Sequence, residues 1–121
     1  MAKAKAFTKA AFLSAAGATI KPVRLHLTEL DGDVFIKRHT LAEREEFNER
    51  VTGADKHDQN AIGVQLVTCD ESGGLLFEPT DIDAIKGLPS NVTTEILYKY
   101  NVINGLVAPI NEQVEDAKKN S

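Results

Sequence analysis

From residue 23 the chain alternates strictly, with Val23, Leu25 and Leu27 apolar and Arg24, His26 and Thr28 polar. A period of two over this length marks a half-buried strand. Asp31-Gly32 supplies a two-residue turn, because both central residues of a type I′ turn take positive φ. With Leu30 and Asp33 flanking that turn, the expected register sets Leu27 opposite Ile36 and Glu29 opposite Val34. One face of the hairpin then carries Val23, Leu25, Leu27, Val34 and Ile36, and the other Arg24, His26, Thr28, Phe35 and Lys37.

After the hairpin the period lengthens. Thr40-Leu-Ala-Glu43 reads as a capping box, in which the hydroxyl takes a first-turn amide and the carboxylate returns to the cap's own amide. A helix over about Leu41 to Val51 follows, with Leu41, Phe47 and Val51 as its narrow apolar stripe. Thr52 to Asn60 is polar and reads as a loop. In Ala61 to Cys69, the residues Ile62, Leu66 and Cys69 keep helical spacing while Ile62, Val64 and Leu66 alternate as in a strand. A buried helix is the reading taken, with a strand as its alternative.

Asp70-Glu-Ser-Gly-Gly74 is a turn into Leu75, Leu76 and Phe77. Thr80-Asp-Ile-Asp83 reads as a second capping box, opening a short helix that stops at Gly87. From Pro89-Ser90, Val92, Ile96, Tyr100, Ile103 and Val107 recur at steps of three and four, which places them on one helical stripe. At the other end, Thr8 to Ala16 is built of good helix formers and stops at Gly17, but it is too short to hold a helix without packing.

These elements define an α+β fold, an N-terminal β-hairpin packed on a small bundle of about four helices. The single domain is expected over residues 21–110, after a basic arm at 1–20 and before a disordered polar tail at 111–121. A length of 121 residues suits one core. No internal repeat is visible, and no run approaches the roughly 18 apolar residues of a membrane span.

Charge changes the picture in one respect. The net charge is −4, yet residues 1–24 hold five bases and no acid, leaving nine bases against eighteen acids in the remainder. Phosphate binding needs clustered Lys and Arg, so an acidic body argues against nucleic acid as a partner. Lys3 to Lys9, Ala10 to Ala16 and Ala16-Gly-Ala18 imitate the three parts of an export signal, but an alanine-dominated apolar region favours a flexible or loosely helical arm. The single cysteine, Cys69, excludes an internal disulfide and fits a reducing compartment such as the cytoplasm.

Chemistry offers few footholds. The chain has no phosphate-binding glycine loop, nucleophile elbow, paired cysteine ligands or two-histidine zinc helix. His39, Glu43 and Glu46 invite a metal reading, but His39 precedes the helix cap and the glutamates suit a solvated face. Cys69 lies in an apolar run and reads as a buried, inert thiol. Asp31/Asp33 and Asp81/Asp83 coincide with a turn and a cap that already explain them. Asn91-Val-Thr93 matches a glycosylation acceptor but equally a helix start. The candidate functional residues are therefore those of an interface: Val23, Leu25, Leu27, Val34 and Ile36 on the apolar face, and Thr28 at a strand edge that is open to pairing.

The order of these pieces carries a resemblance. A hairpin with an Asp31-Gly32 turn leads through Lys37-Arg38 to a Thr40-Leu-Ala-Glu-Arg44 helix opening. An apolar helix then runs into Asp70-Glu-Ser-Gly-Gly-Leu-Leu-Phe77, followed by Asp81-Ile-Asp-Ala-Ile85, Leu88-Pro89 and a last helix closing on Asn104-Gly-Leu106. Over about residues 8–107 the chain resembles the small tail assembly chaperones of long-tailed bacteriophages and prophages.

The resemblance implies a non-enzymatic helper in the host bacterial cytoplasm, without cofactor or metal and without a nucleic-acid or membrane partner. It would bind the tape measure protein, bring tail tube subunits to it, self-associate, and be absent from the mature virion. Many such proteins are similar in having a programmed frameshift near the end of the reading frame, and Lys118-Lys119-Asn120 can be encoded by a slippery heptamer. The alternative is a small structural tail or head–tail completion protein that stays in the particle.

Overall fold

The computed structural model describes residues 6–106. The proposed tail, Val107 of the last stripe and the first five residues of the arm lie outside them. Helix α1 spans Lys9–Gly17, followed by strands β1, Val23–Leu27, and β2, Gly32–Ile36. Helices α2, Leu41–Thr52, and α3, Gln59–Val67, lead directly into strand β3, Thr68–Cys69. A 3₁₀ turn at Pro79–Asp81, α4 at Ile82–Lys86 and α5 at Ser90–Ile103 complete an α+β fold.

The sheet has three antiparallel strands in the order β1-β2-β3, one more than the hairpin expected from sequence. β3 pairs Cys69 with Phe35 and Thr68 with Ile36, and a further bridge joins Cys69 to Leu75. Two residues are too few to write a periodicity, and these two end the apolar run that reads as helix. Ile62, Val64 and Leu66 are thus helical, as the reading taken had it, and only Thr68 and Cys69 at the end of the run are extended.

The hairpin register departs from expectation. Leu27 faces Gly32, Leu25 faces Val34 and Val23 faces Ile36, so Ile36 lies opposite Val23 and not Leu27. Thr28 to Asp31 form a four-residue loop in which Leu30 N–H donates to Leu27 O and Asp31 N–H to Thr28 O. Only Asp31 takes positive φ, at 49°, so Asp31-Gly32 does not form the two-residue turn and Gly32 begins β2. The reason is visible across the strands. This register sets Asp33 directly opposite His26, where its carboxylate accepts from Arg24 at 2.7 Å and meets His26 Nδ1 at 2.7 Å. The Arg24 guanidinium also lies 5.0 Å from the centre of the Phe35 ring. The displacement from the expected pairing is an even number of residues, so the apolar face keeps its membership.

Helix α5 lies against β1 and β2, while α3 packs on α2, α4 and α5. Leu27 and Ile36 from the sheet meet Val64 and Val67 of α3, Ile85 of α4, and Val92, Ile96 and Tyr100 of α5 in the buried core. Gly63 eases this: a Cβ there would stand 3.1 Å from Leu97 Cδ2 and 3.7 Å from Phe47, so the Leu97 side chain would have to give way to a larger residue. The stripe expected on α5 is thus buried through Tyr100. The α2 stripe is not complete, since Phe47 turns inward but Leu41 is 76% exposed.

The caps explain the helix starts. Thr40 Oγ1 accepts from Glu43 N–H at 3.2 Å and Glu43 Oε1 from Thr40 N–H at 3.0 Å, the reciprocal pair expected. The second box falls two residues earlier than expected. Asp81, not Asp83, accepts from a backbone amide, that of Glu78 at 2.8 Å, because Pro79 starts the 3₁₀ turn. Pro at the first helical position has no N–H to leave unpaired.

Candidate functional site

The six residues expected at an interface fall in two places. Leu27 and Ile36 are core residues, and Leu25 and Val34 pack against that core. Val23 is half-buried beside them, opposite Ile36. The domain's own helices therefore cover this apolar face. Thr28 is exposed in the β1–β2 loop rather than on a strand edge, because the longer loop removes it from the ladder. The sheet's outer strands are β1, bounded by Val23 and Leu27, and the two-residue β3.

A polar cluster that sequence reasoning did not assemble lies where β2 runs into α2. The Asn104 amide, at the C-terminal end of α5, accepts from His39 N–H at 2.9 Å and donates to Lys37 O at 3.2 Å and Tyr100 O at 2.9 Å. One side chain thus binds the chain after β2 to the end of α5. His39 Nδ1 lies 2.9 Å from the Tyr100 hydroxyl. With Nδ1 accepting from the Tyr100 hydroxyl, the neutral ring carries its proton on Nε2.

The rings of His39, Phe47 and Tyr100 pack mutually, with centroids 4.9 to 5.9 Å apart. Burial pushes the His39 pKa below its ordinary value, against the opposing pull of Glu43. Burial likewise raises Tyr100. The signal for this cluster in the sequence is weak, since His39 lies more than sixty residues before Tyr100 and Asn104, and only those last two, four residues apart at the end of α5, share a helical spacing.

Beside it opens a groove of about 210 Å³ between α2 and the segment after β3. Phe47, Leu66 and Leu75 form its apolar floor, and Glu43, Glu46 and Arg50 stand along its α2 rim. Glu43 is held in the capping box and lies 3.6 Å from Lys37 Nζ, and its pKa is lowered chiefly by the Thr40 amide. Metal ligation would require it to leave that cap, and His39 already spends Nδ1 on Tyr100. Among the described residues no three His, Cys, Asp or Glu side chains gather as a metal site.

Cys69 is 1% exposed and burial raises its pKa, which keeps it in the unreactive thiol form. Asp70 has a structural task. Its Oδ1 accepts from Ser72 N–H, Ser72 Oγ and Gly74 N–H at 2.6 to 3.0 Å, and these bonds lower its pKa. With Gly73 at φ +93°, this closes the turn that presents Leu75 to the groove.

Apolar exposure is concentrated outside the sheet. Phe7, Phe12, Leu13 and Ile20 of the arm are between 44% and 63% exposed, and no residue of α1 is buried. Leu75 and Leu76 are exposed on the body. Among the described residues no helix is long and apolar enough to cross a membrane. No family model matches the chain, and no curated protein or solved structure shows significant similarity to it.

Proposed function

We propose that this protein is a tail assembly chaperone of a long-tailed bacteriophage or prophage. It acts in the host bacterial cytoplasm, binding the tape measure protein and helping to recruit tail tube subunits without catalysing a reaction. The observation that carries the reading is the exposed apolar side chains of the arm, Phe12 and Leu13, and of the segment after β3, Leu75 and Leu76, on a chain whose sheet is covered by its own helices. Exposed apolar side chains, where they gather, are the kind of surface that holds other chains. The order of elements supports it too: a hairpin, a Thr40-capped helix, an apolar helix ending at the Asp70 turn, a short helix and a closing helix. It is the order on which the resemblance rests.

The test is co-expression with a tape measure protein encoded nearby, together with mass spectrometry of purified particles. The expected result is a tape measure protein that becomes soluble only with this partner, and particles that lack it. Detection at structural copy number would assign it instead as a tail or head–tail completion protein.

A further inference from the structure

Where the exit of the arm meets the chain leaving β2 and the turn after β3, the three segments enclose a second cavity of about 220 Å³. It shares Lys37 and Glu43 with the groove beside α2 and adds Lys21, Arg38 and Ser72. Its charge is one-sided. Lys21, Lys37 and Arg38 set three cations against one carboxylate, in a chain whose net charge is −4. That carboxylate is already engaged, since Glu43 Oε1 accepts from the Thr40 amide and Oε2 lies 3.6 Å from Lys37 Nζ. Lys21 and Arg38 make no ion pair among the described residues. Two positive charges are thus left over on the cavity wall.

Arg38 adds the sharper observation. Its Nη1 donates to Thr19 O at 3.1 Å, which fixes the guanidinium against the arm's exit, while its Nε is buried with no hydrogen-bond partner among the described residues. A buried donor of a charged group is costly to leave unpaired, and most such donors find an acceptor. Glu43 is held in its cap and Ser72 Oγ is turned to Asp70 Oδ1 at 2.6 Å, so neither serves this one.

We propose that this cavity is a binding site for a small phosphate-bearing anion, inorganic phosphate or a phosphate monoester, held by Lys21, Lys37 and Arg38. The two uncompensated charges match a phosphate dianion better than a monovalent ion. A guanidinium beside two ammonium groups is a donor set suited to phosphate oxygens, and one such oxygen at the guanidinium supplies the acceptor that Nε lacks. A single recess of this size takes one phosphate group, whereas a nucleic-acid strand needs an extended basic surface that the acidic body does not offer. Because Lys21 comes from the arm's exit and Lys37 and Arg38 from the chain after β2, the bound anion also pins the arm to the sheet. The site stands apart from the tail-assembly reading, since it needs neither a tape measure protein nor a tail tube subunit.

Titration of the full chain with sodium phosphate, followed by its amide resonances and referenced to sodium chloride at equal ionic strength, tests the site. Saturable shifts confined to the segments around Lys21, Arg38 and Ser72 are expected. Lys21→Gln, at an exposed position where the fold is not at risk, weakens binding, and Lys21→Gln/Arg38→Gln weakens it by about tenfold or more. Lys9→Gln/Lys56→Gln removes the same charge from exposed positions outside the cavity and leaves binding unchanged. Glycerol phosphate in the same titration separates the two sources: binding at least as tight as that of phosphate assigns an esterified ligand, and weaker binding assigns the free anion. Shifts that sodium chloride reproduces, or equal weakening by the two double variants, overturn the proposal.

Discussion

Asn104 is the side chain whose removal reports most directly on how the sheet is fastened to the last helix. In Asn104→Ala, His39 N–H loses its acceptor and Lys37 O its donor, both in a partly buried setting. Tyr100 O keeps a partner in the Asn104 backbone N–H at 3.1 Å, so that bond is discounted. Two hydrogen bonds at about 0.5–1.5 kcal/mol each give an expected loss of about 1–3 kcal/mol. In a domain of this size each kcal/mol lowers the melting temperature by about 4–8 °C. Asn91→Ala is the matched control. It removes an exposed amide that donates to Glu29 Oε2 at 2.6 Å, where solvent replaces the partner and the cost stays below about 0.5 kcal/mol. Urea unfolding of both variants, followed by circular dichroism at constant m-value, makes the comparison. Equal losses for the two variants would refute the claim that Asn104 fastens α5 to the chain leaving β2.

Thr40→Ala removes the hydroxyl that caps α2 and should cost about 0.5–2 kcal/mol in the same unfolding assay. Because His39 is held neutral below its ordinary pKa of 6.5, the unfolded chain binds the proton first as pH falls. Stability should therefore be full above about pH 6.5 and decline from there toward pH 5. His39→Phe should flatten that decline, measured as unfolding free energy against pH. The lowered carboxylates Asp33, Glu43 and Asp70 act in a separate, more acidic window, where their stabilising bonds are lost on protonation. Leu27→Asp should abolish the cooperative thermal transition, since a side chain 3% exposed would leave its charge unpartnered in the core. A cooperative melt near that of the wild type would refute the internal cover of the sheet.

What was legible in the sequence was local. The Thr40–Glu43 box, the stop at Gly87 and the buried stripe of Val92, Ile96 and Tyr100 each follow from residues within a turn or two of one another. Face membership in the hairpin was also legible, because a period of two survives any even slip. The register was not, since it is set by the Asp33 contacts to Arg24 and His26 across the strands, and a favourable Asp-Gly pair competes with them on paper. Leu41 falls on the apolar stripe of α2 and reads as inward, but as the first residue after the Thr40 cap it stays exposed. The groove and the Asn104 cluster depend on contacts between residues far apart in the chain, which no spacing rule encodes.

The direct passage from α3 into β3 has a consequence for which insertions the chain can tolerate. Thr68 N–H still donates to Val64 O at the end of the helix, while Thr68 already pairs with Ile36 and its carbonyl accepts from Leu76 N–H. There is no slack residue between the two elements. One added residue at this junction would turn α3 by about 100° relative to the sheet, or else exchange the two faces of β3. Lengthening the loop at 53–58 would disturb neither. Length variation among sequences sharing this fold should therefore be found in that loop and be absent between Val67 and Thr68.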